Sequence, residues 1–201
     1  QGKRWLSIDW KMTGLFNARN AAMACLAAAL SLSDGASPIA FEAEGLDEFR
    51  GVKRRQQIRQ ESEHRVVMED FAHHPTAIFE ILSALRNRYP DRKIIAAFEP
   101  RSNTSRLDIM REPMLNALAR ADRVVIGPAK QRSSKSVAVM DTEALASGLM
   151  ERGVEAVASR SNDAALESLR GFCADGNGNQ VVVFLTNGSF GGIIERFLEA
   201  N

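Results

Sequence analysis

Residues 180–199 begin Gln180-Val-Val-Val-Phe-Leu185, continue through Thr186-Asn-Gly-Ser-Phe-Gly-Gly192 and run into Ile193-Ile-Glu-Arg-Phe-Leu198. An unbroken apolar run closed by a glycine-rich turn reads as a strand buried on both faces, and the stretch after it reads as a helix over Ser189 to Ala200. The same alternation recurs upstream. Lys93-Ile-Ile-Ala-Ala-Phe98 and Arg123 to Ile126 are short apolar strands, with a weaker one over Val154 to Ala158. Helices are expected over Pro75 to Arg88, Leu107 to Ala121, Asp141 to Gly153 and Ser161 to Cys173, the last with Ser161 as its N-cap. Arg54 to Glu61 and Arg65 to Phe71 read as a strand pair joined around Ser62-Glu63. Buried strands alternating with amphipathic helices predict an α/β fold: a doubly wound, Rossmann-like domain with a mainly parallel sheet over residues 52–201.

Residues 1–51 differ from this. Phe16, Asn20, Met23, Ala24, Ala27 and Leu30 follow helical spacing within a helix over residues 15–32, and Ser37-Pro38 opens a short helix through Glu44. Gly45 to Gly51 reads as a link. The chain opens Gln1-Gly-Lys-Arg-Trp-Leu6, without an initiator Met and in strand-like sequence, which points to a fragment. No apolar run approaches the ~18 residues of a membrane span, and the expected setting is a soluble, cytoplasmic one. Lys+Arg 26 against Asp+Glu 25 gives a net charge of +1, so no global basic field recruits nucleic acid and any phosphate binding must be local. Cys25 and Cys173 each sit in apolar helical sequence and read as separate buried thiols.

In doubly wound sheets ligands sit beyond the carboxyl ends of the strands, and four such ends carry chemistry. Glu69-Asp-Phe-Ala-His73-His74-Pro-Thr76 stands at the mouth of a helix, where free N–H groups favour a phosphate, ribose or carboxylate; alternatively Asp70 and Thr76 only cap the turn. Phe98-Glu-Pro-Arg101-Ser102-Asn103-Thr-Ser105-Arg106 offers arginines among hydrogen-bonding side chains, either a carboxylate clamp or a solvated loop. Ala129-Lys-Gln-Arg-Ser-Ser-Lys135 is either a flap over an anion or ordinary surface. The glycines of Asn187-Gly-Ser-Phe-Gly-Gly192 either admit a ligand to the backbone or make tight turns. Lys53-Arg54-Arg55 is a solvated face or a reach toward nucleotide phosphates. The sequence has no Gly-Lys phosphate loop, no G-x-G-x-x-G, no zinc spacing and no hydrolase triad order.

The stretch Asp70-Phe-Ala-His-His-Pro-Thr-Ala-Ile resembles the signature that opens the C-terminal domain of the Mur ligases, which build bacterial peptidoglycan precursors with ATP. Three further stretches resemble that family in the same order. Gly14-Leu-Phe-Asn17-Ala-Arg-Asn20 is similar to the close of its central ATP-binding domain, Phe49-Arg-Gly-Val-Lys-Arg-Arg55-Gln to the inter-domain junction, and Phe98-Glu-Pro-Arg-Ser-Asn-Thr-Ser-Arg106 to the substrate loop. The resemblance covers essentially the whole chain. It implies that residues 1–51 are the tail of the central domain and residues 52–201 the C-terminal domain, with the UDP-binding domain, the lysine loop and the magnesium ligands lying outside this chain.

The implied reaction is carboxylate activation. ATP phosphorylates the lactate carboxylate of UDP-N-acetylmuramate, an amine attacks the acyl phosphate, and phosphate leaves. The implied acceptor is the murein tripeptide L-alanyl-γ-D-glutamyl-meso-diaminopimelate, as in peptidoglycan recycling; the alternatives are L-alanine, as in de novo synthesis, or a stand-alone module binding a nucleotide or anionic peptide. By motif, Asn17 and Asn20 match contacts to the adenine end of ATP, Arg55 an arginine reaching the nucleotide, and Asp70 a ribose ligand. Arg101, Ser102 and Ser105 match acceptor-binding positions, with Asn103 beside them. The L-alanine-adding relative carries arginines where Ser102 and Ser105 stand, a departure that fits a larger acceptor. His73 and His74 orient the acceptor or the phosphate, and no catalytic residue is assigned. The full enzyme would use ATP and Mg2+, and the fragment alone should be inactive.

Overall fold

The computed structural model describes residues 4–10, 12–32, 41–43, 45–129, 138–175 and 178–199. The chain divides into two compact units, Gln1–Val52 and Lys53–Asn201.

The second unit holds strands β1 (Gln57–Glu61), β2 (Arg65–Asp70), β3 (Lys93–Phe98), β4 (Arg123–Ile126), β5 (Glu155–Ala158) and β6 (Gln180–Leu185) in one sheet of order β1-β2-β6-β3-β4-β5. Every neighbouring pair is parallel except β1 with β2, an antiparallel hairpin with a register shift between Ile58 and Gln60. Asp70 of β2 and Phe98 of β3 both pair with Leu185 of β6, so three strands end level. The connecting helices are α2 (Pro75–Arg88), α3 (Arg111–Leu118), α4 (Thr142–Glu151), α5 (Asn162–Ala174) and α6 (Ile193–Leu198).

Side chains alternate across a strand, and here both faces are buried. Val67, Ile95, Ala97, Val125, Val182 and Phe184 pack with Leu166, Leu169, Ile193 and Phe197 of α5 and α6. The intervening residues, among them Met68, Ile94, Phe98, Val124 and Val183, are no more than 2% exposed and face the other way, where α2, α3 and α4 pack in sequence. This is the doubly wound α/β sheet that the apolar runs predict. Asp141 and Ser161 cap α4 and α5 by accepting from the N–H groups of Ala144 and Ala164.

Element ends depart from expectation for local reasons. The first strand starts at Gln57, because Arg54 and Gln56 have positive φ (60° and 48°) and turn the chain. The helix expected from Leu107 begins as a 3-10 turn, Asp108–Met110, and ends at Leu118; Pro113 has no N–H to bond back toward that turn. The helix expected from Ser189 is a 3-10 turn, Phe190–Gly192, followed by α6, with left-handed backbone at Gly191 and Gly192.

In the first unit, α1 (Leu15–Leu32) has the expected bounds but buries a different stripe. Ala21, Cys25 and Ala29 are buried, whereas Met23 and Leu30 are 65% and 60% exposed. Trp5, Leu6 and Ile8 line a concavity of about 400 Å³ with Ala18, Ala21 and Cys25. Residues 4–10 form no strand, since no described segment of this unit pairs with them. With a mean hydropathy of 1.3 over 18 residues, α1 is long and apolar enough to cross a membrane by length and composition. This corrects the expectation that no run approaches that length; polar Asn17, Arg19 and Asn20 interrupt the run without outweighing its alanines and leucines. A helix near the N-terminus or in the core of a soluble protein passes the same test. Most of the short helix expected over Ser37 to Glu44 lies outside the described residues, as do Lys130 to Lys135 of the basic loop.

Candidate functional site

The level ends of β2, β6 and β3 form a carboxyl edge at which three chain segments meet. At the end of β2, Asp70 is 2% exposed. One carboxylate oxygen accepts from the Gln56 N–H (2.8 Å) and the other from the Ala72 N–H (2.7 Å). Burial pushes its pKa above the ordinary aspartate value, against the pull of those two N–H groups and of Arg55. The Arg54 and Arg55 guanidinium groups both lie 5.2 Å from the Phe71 ring centroid.

Arg54 links this end to the last strand. Its Nε donates to Glu69 at 2.7 Å, and its Nη2 donates to the backbone oxygens of Thr186, at 3.0 Å, and Gly188. Glu69 also takes Arg59 at 2.6 Å, and Arg59 reaches on to Glu195 of α6 at 2.8 and 2.9 Å. The hydrogen bond to Glu195 leads the effects that raise the Arg59 pKa. Of the Lys53-Arg54-Arg55 run, Arg54 is therefore committed to internal partners.

At the end of β3, Glu99 is 9% exposed. Its carboxylate accepts from the Thr186 hydroxyl, which in turn accepts from the Gly188 N–H at 2.9 Å. Among the described residues no cation lies within ion-pair distance of Glu99 or carboxylate of Arg101. The exposed Arg101 side chain runs across Gly188, where a Cβ would meet Nη1 at 1.7 Å and Cζ at 2.6 Å. At Gly188 the group that approaches the backbone is the chain's own Arg101 guanidinium, not a ligand. Gly191, with φ of 62°, makes a turn that also clears Asn162.

Ser102 and Ser105 turn toward each other. Their hydroxyls are 2.8 Å apart, and each also accepts the other's backbone N–H, at 2.8 and 3.1 Å. They staple the loop that carries Arg101, while Asn103 is exposed. His73 packs edge-on against Phe71, its Nδ1 3.0 Å from the Phe71 oxygen, and His74 is the exposed N-cap residue of α2 without a side-chain capping bond. The cap reading of Asp70 thus holds for the turn at Ala72 and not for α2. Asn17 and Asn20 lie one turn apart in α1 of the first unit, Asn17 donating from Nδ2 to the Thr13 oxygen at 2.8 Å. Sequence reasoning gave roles to Arg55, Asp70 and Arg101, raised Arg54 only as part of a basic run, and gave none to Glu99 or Thr186. The available signal was a glutamate directly after an apolar strand.

Comparison with known proteins bears on what this edge does. The family model described as "Mur ligase, glutamate ligase domain" matches residues 54–188. The UDP-N-acetylmuramate–L-alanyl-γ-D-glutamyl-meso-2,6-diaminoheptandioate ligase of Escherichia coli is 39% identical over 126 residues, covering 62% of this chain and 27% of that protein. A UDP-N-acetylmuramate–L-alanine ligase of Bifidobacterium longum subsp. infantis is 40% identical over 131 residues, covering 64% of this chain and 25% of its own length. The crystal structure of the UDP-N-acetylmuramate–alanine ligase of Thermotoga maritima superposes with a TM-score of 0.73 at 27% identity, over 99% of this chain and 40% of that one. The chain therefore spans less than half the length of these relatives.

Proposed function

The chain belongs to the Mur ligase family, and from that premise we propose that it is the acceptor-reading end of an ATP-dependent ligase joining L-alanyl-γ-D-glutamyl-meso-diaminopimelate to UDP-N-acetylmuramate, a bacterial cytoplasmic enzyme of peptidoglycan recycling. The observation that carries this reading is Arg101. Its exposed guanidinium lies on Gly188 at the carboxyl edge, without a carboxylate partner among the described residues. A guanidinium so placed takes a substrate carboxylate in bidentate fashion. The tripeptide carries several carboxylates, and Asn103 stands at the same loop to bond beside them. Ser102 and Ser105 hold the shape of the loop that presents Arg101.

The nucleotide side of the reading rests on Asp70, Arg55, Asn17 and Asn20. Asp70 spends one lone pair of each oxygen on a backbone N–H, which leaves acceptor capacity for a ribose hydroxyl, and Arg55 beside it offers positive charge for a phosphate. Within the second unit, Asp70 and Arg55 fit a ribose and a phosphate of ATP. For Mg2+, no group of three His, Cys, Asp or Glu side chains comes together among the described residues, so no step is assigned to the ion through this chain. His73 and His74 remain candidates for orienting acceptor or phosphate. Without a Gly-Lys phosphate loop, the 201-residue chain alone should release no phosphate above background from ATP, UDP-N-acetylmuramate and tripeptide.

L-Alanine is the second reading, favoured by the comparable identity to L-alanine-adding relatives. Steady-state kinetics on the full-length enzyme decide. Arg101→Ala should raise the tripeptide KM at least about tenfold, equivalent to ~1.4 kcal/mol, with the ATP and UDP-sugar constants unmoved. An unchanged tripeptide KM makes the loop ordinary surface, a raised ATP KM alone moves it beside the phosphates, and turnover only with L-alanine replaces the first reading by the second.

A further inference from the structure

Glu99 poses an electrostatic problem that the proposed reaction leaves open. A carboxylate 9% exposed at the end of a buried strand ordinarily has a cation or several donors. Asp70, at the end of β2 and one register step earlier, has two backbone donors. Among the described residues Glu99 has one neutral donor, the Thr186 hydroxyl, and that hydroxyl is fixed from behind by the Gly188 N–H. Arg101, two residues on, does not turn back to pair with it; its guanidinium lies on Gly188 instead. Among the described residues, a carboxylate without a cation and a guanidinium without a carboxylate therefore flank one short backbone segment, Thr186–Gly188. A ligand that satisfies both carries an ammonium and a carboxylate close together, the two charges of a free α-amino acid centre.

We propose that Glu99 is a specificity-determining residue that binds the non-reacting ammonium of the acceptor, while Arg101 holds the carboxylate on the same carbon. This rests on the acceptor-site reading above and adds to it which part of the acceptor is read. The bound ammonium is not the nucleophile: an amine held protonated by a buried carboxylate has no lone pair for attack on an acyl phosphate. The acceptor must then have a second amino-carboxylate centre apart from its reacting amine. The distal carbon of diaminopimelate is such a centre, and L-alanine has none. Thr186 aims the Glu99 carboxylate and contacts no substrate.

The experiment uses the full-length enzyme and two acceptors: the tripeptide, and the same tripeptide acetylated on its distal diaminopimelate amine. The wild type should show a KM at least roughly tenfold higher for the acetylated peptide. Glu99→Gln keeps an oxygen for the Thr186 hydroxyl and removes the charge. It should raise the KM of the unmodified tripeptide about as much, bring the two peptides to similar KM values, and leave the ATP KM and the melting temperature unchanged. Glu99→Asp should retain preference for the free ammonium. Equal wild-type KM values for the two peptides overturn the assignment, and they do so even if Glu99→Gln fails to fold. A Glu99→Gln enzyme that still prefers the free ammonium, or that changes only its ATP KM, overturns it as well. If Arg101→Ala raises the tripeptide KM and Glu99→Gln does not, this inference fails alone; if neither does, the acceptor-site reading fails with it.

Discussion

Asp70 and Glu99 are the same kind of group, each buried at the carboxyl end of a strand flanking β6, with Glu99 one residue further along in register and so on the opposite face of the sheet. Their surroundings differ. Asp70 is met by N–H groups from the turn on each side of it, at Gln56 and Ala72, a shell that the local backbone completes. Among the described residues Glu99 is met by one hydroxyl, that of Thr186 just past β6 and 87 residues away, and by no cation. The contrast separates a carboxylate that the fold satisfies and aims from one that the fold leaves for a ligand to satisfy. Arg54 is common to both, since it ties Glu69, beside Asp70, to the carbonyls of Thr186 and Gly188.

The largest effect should come from cutting that tie. Arg54→Ala removes a charged pair and two bonds to carbonyls, with Arg59 still neutralising Glu69, and should cost about 3 kcal/mol in urea unfolding. In the full-length enzyme it should weaken nucleotide and acceptor binding together; a loss confined to one shows the two ends to be independent. Next, Asp70→Ala should weaken ATP binding by about 1.5–3 kcal/mol and spare the acceptor, as measured by calorimetric titration. A change in acceptor KM alone would move Asp70 to the other side of the comparison.

Gly188→Ala sharpens the contrast at Glu99. The new methyl group would displace the mobile end of Arg101, not backbone, so the acceptor KM should rise roughly tenfold while stability holds. A KM left at the wild-type value would show that Arg101 works from another position. A smaller effect lies in pH. Asp70 binds its proton more tightly in the folded chain than in the unfolded one, so this term favours folding below the unfolded pKa and is lost as pH rises through the folded value. The wild type should therefore gain stability relative to Asp70→Asn as the pH falls from neutral toward the ordinary aspartate value; parallel pH–stability curves would contradict the raised pKa. Last, Cys173 is buried with its thiol pushed up to about 11, mainly by burial, and Cys25 is buried too. Neither should react with a thiol reagent at pH near 8 until denaturant is added, and prompt reaction of one thiol would show that its unit opens locally.

Much of the sheet was legible because the information is local. Lys93–Phe98, Arg123–Ile126, Gln180–Leu185 and the helix Pro75–Arg88 have the bounds their apolar periodicity predicts. Helix ends at Pro113 and at Gly191-Gly192 were misjudged by a turn, where single residues override an amphipathic pattern. The glycine-rich loop and the Asp70 turn stood out as short motifs. The partners of Arg54 were hidden, because Thr186 and Gly188 lie 132 and 134 residues from it and a basic triplet reads as surface. Glu99 was hidden for a related reason: its importance comes from missing a partner, which no motif records.

The sheet order also bears on how the protein is made. β6 lies between β2 and β3, yet of the six strands it is the last to leave the ribosome. Until residues 180–185 emerge, β2 and β3 have no shared neighbour, and Thr186, Asn187 and Gly188 do not yet exist to receive Arg54 and Glu99. The binding edge therefore cannot be assembled gradually during translation. Inserting the central strand closes the sheet and completes the site in one late, long-range step. A chain stalled before residue 180 would expose two unpaired strand edges to the chaperones and proteases of the cell.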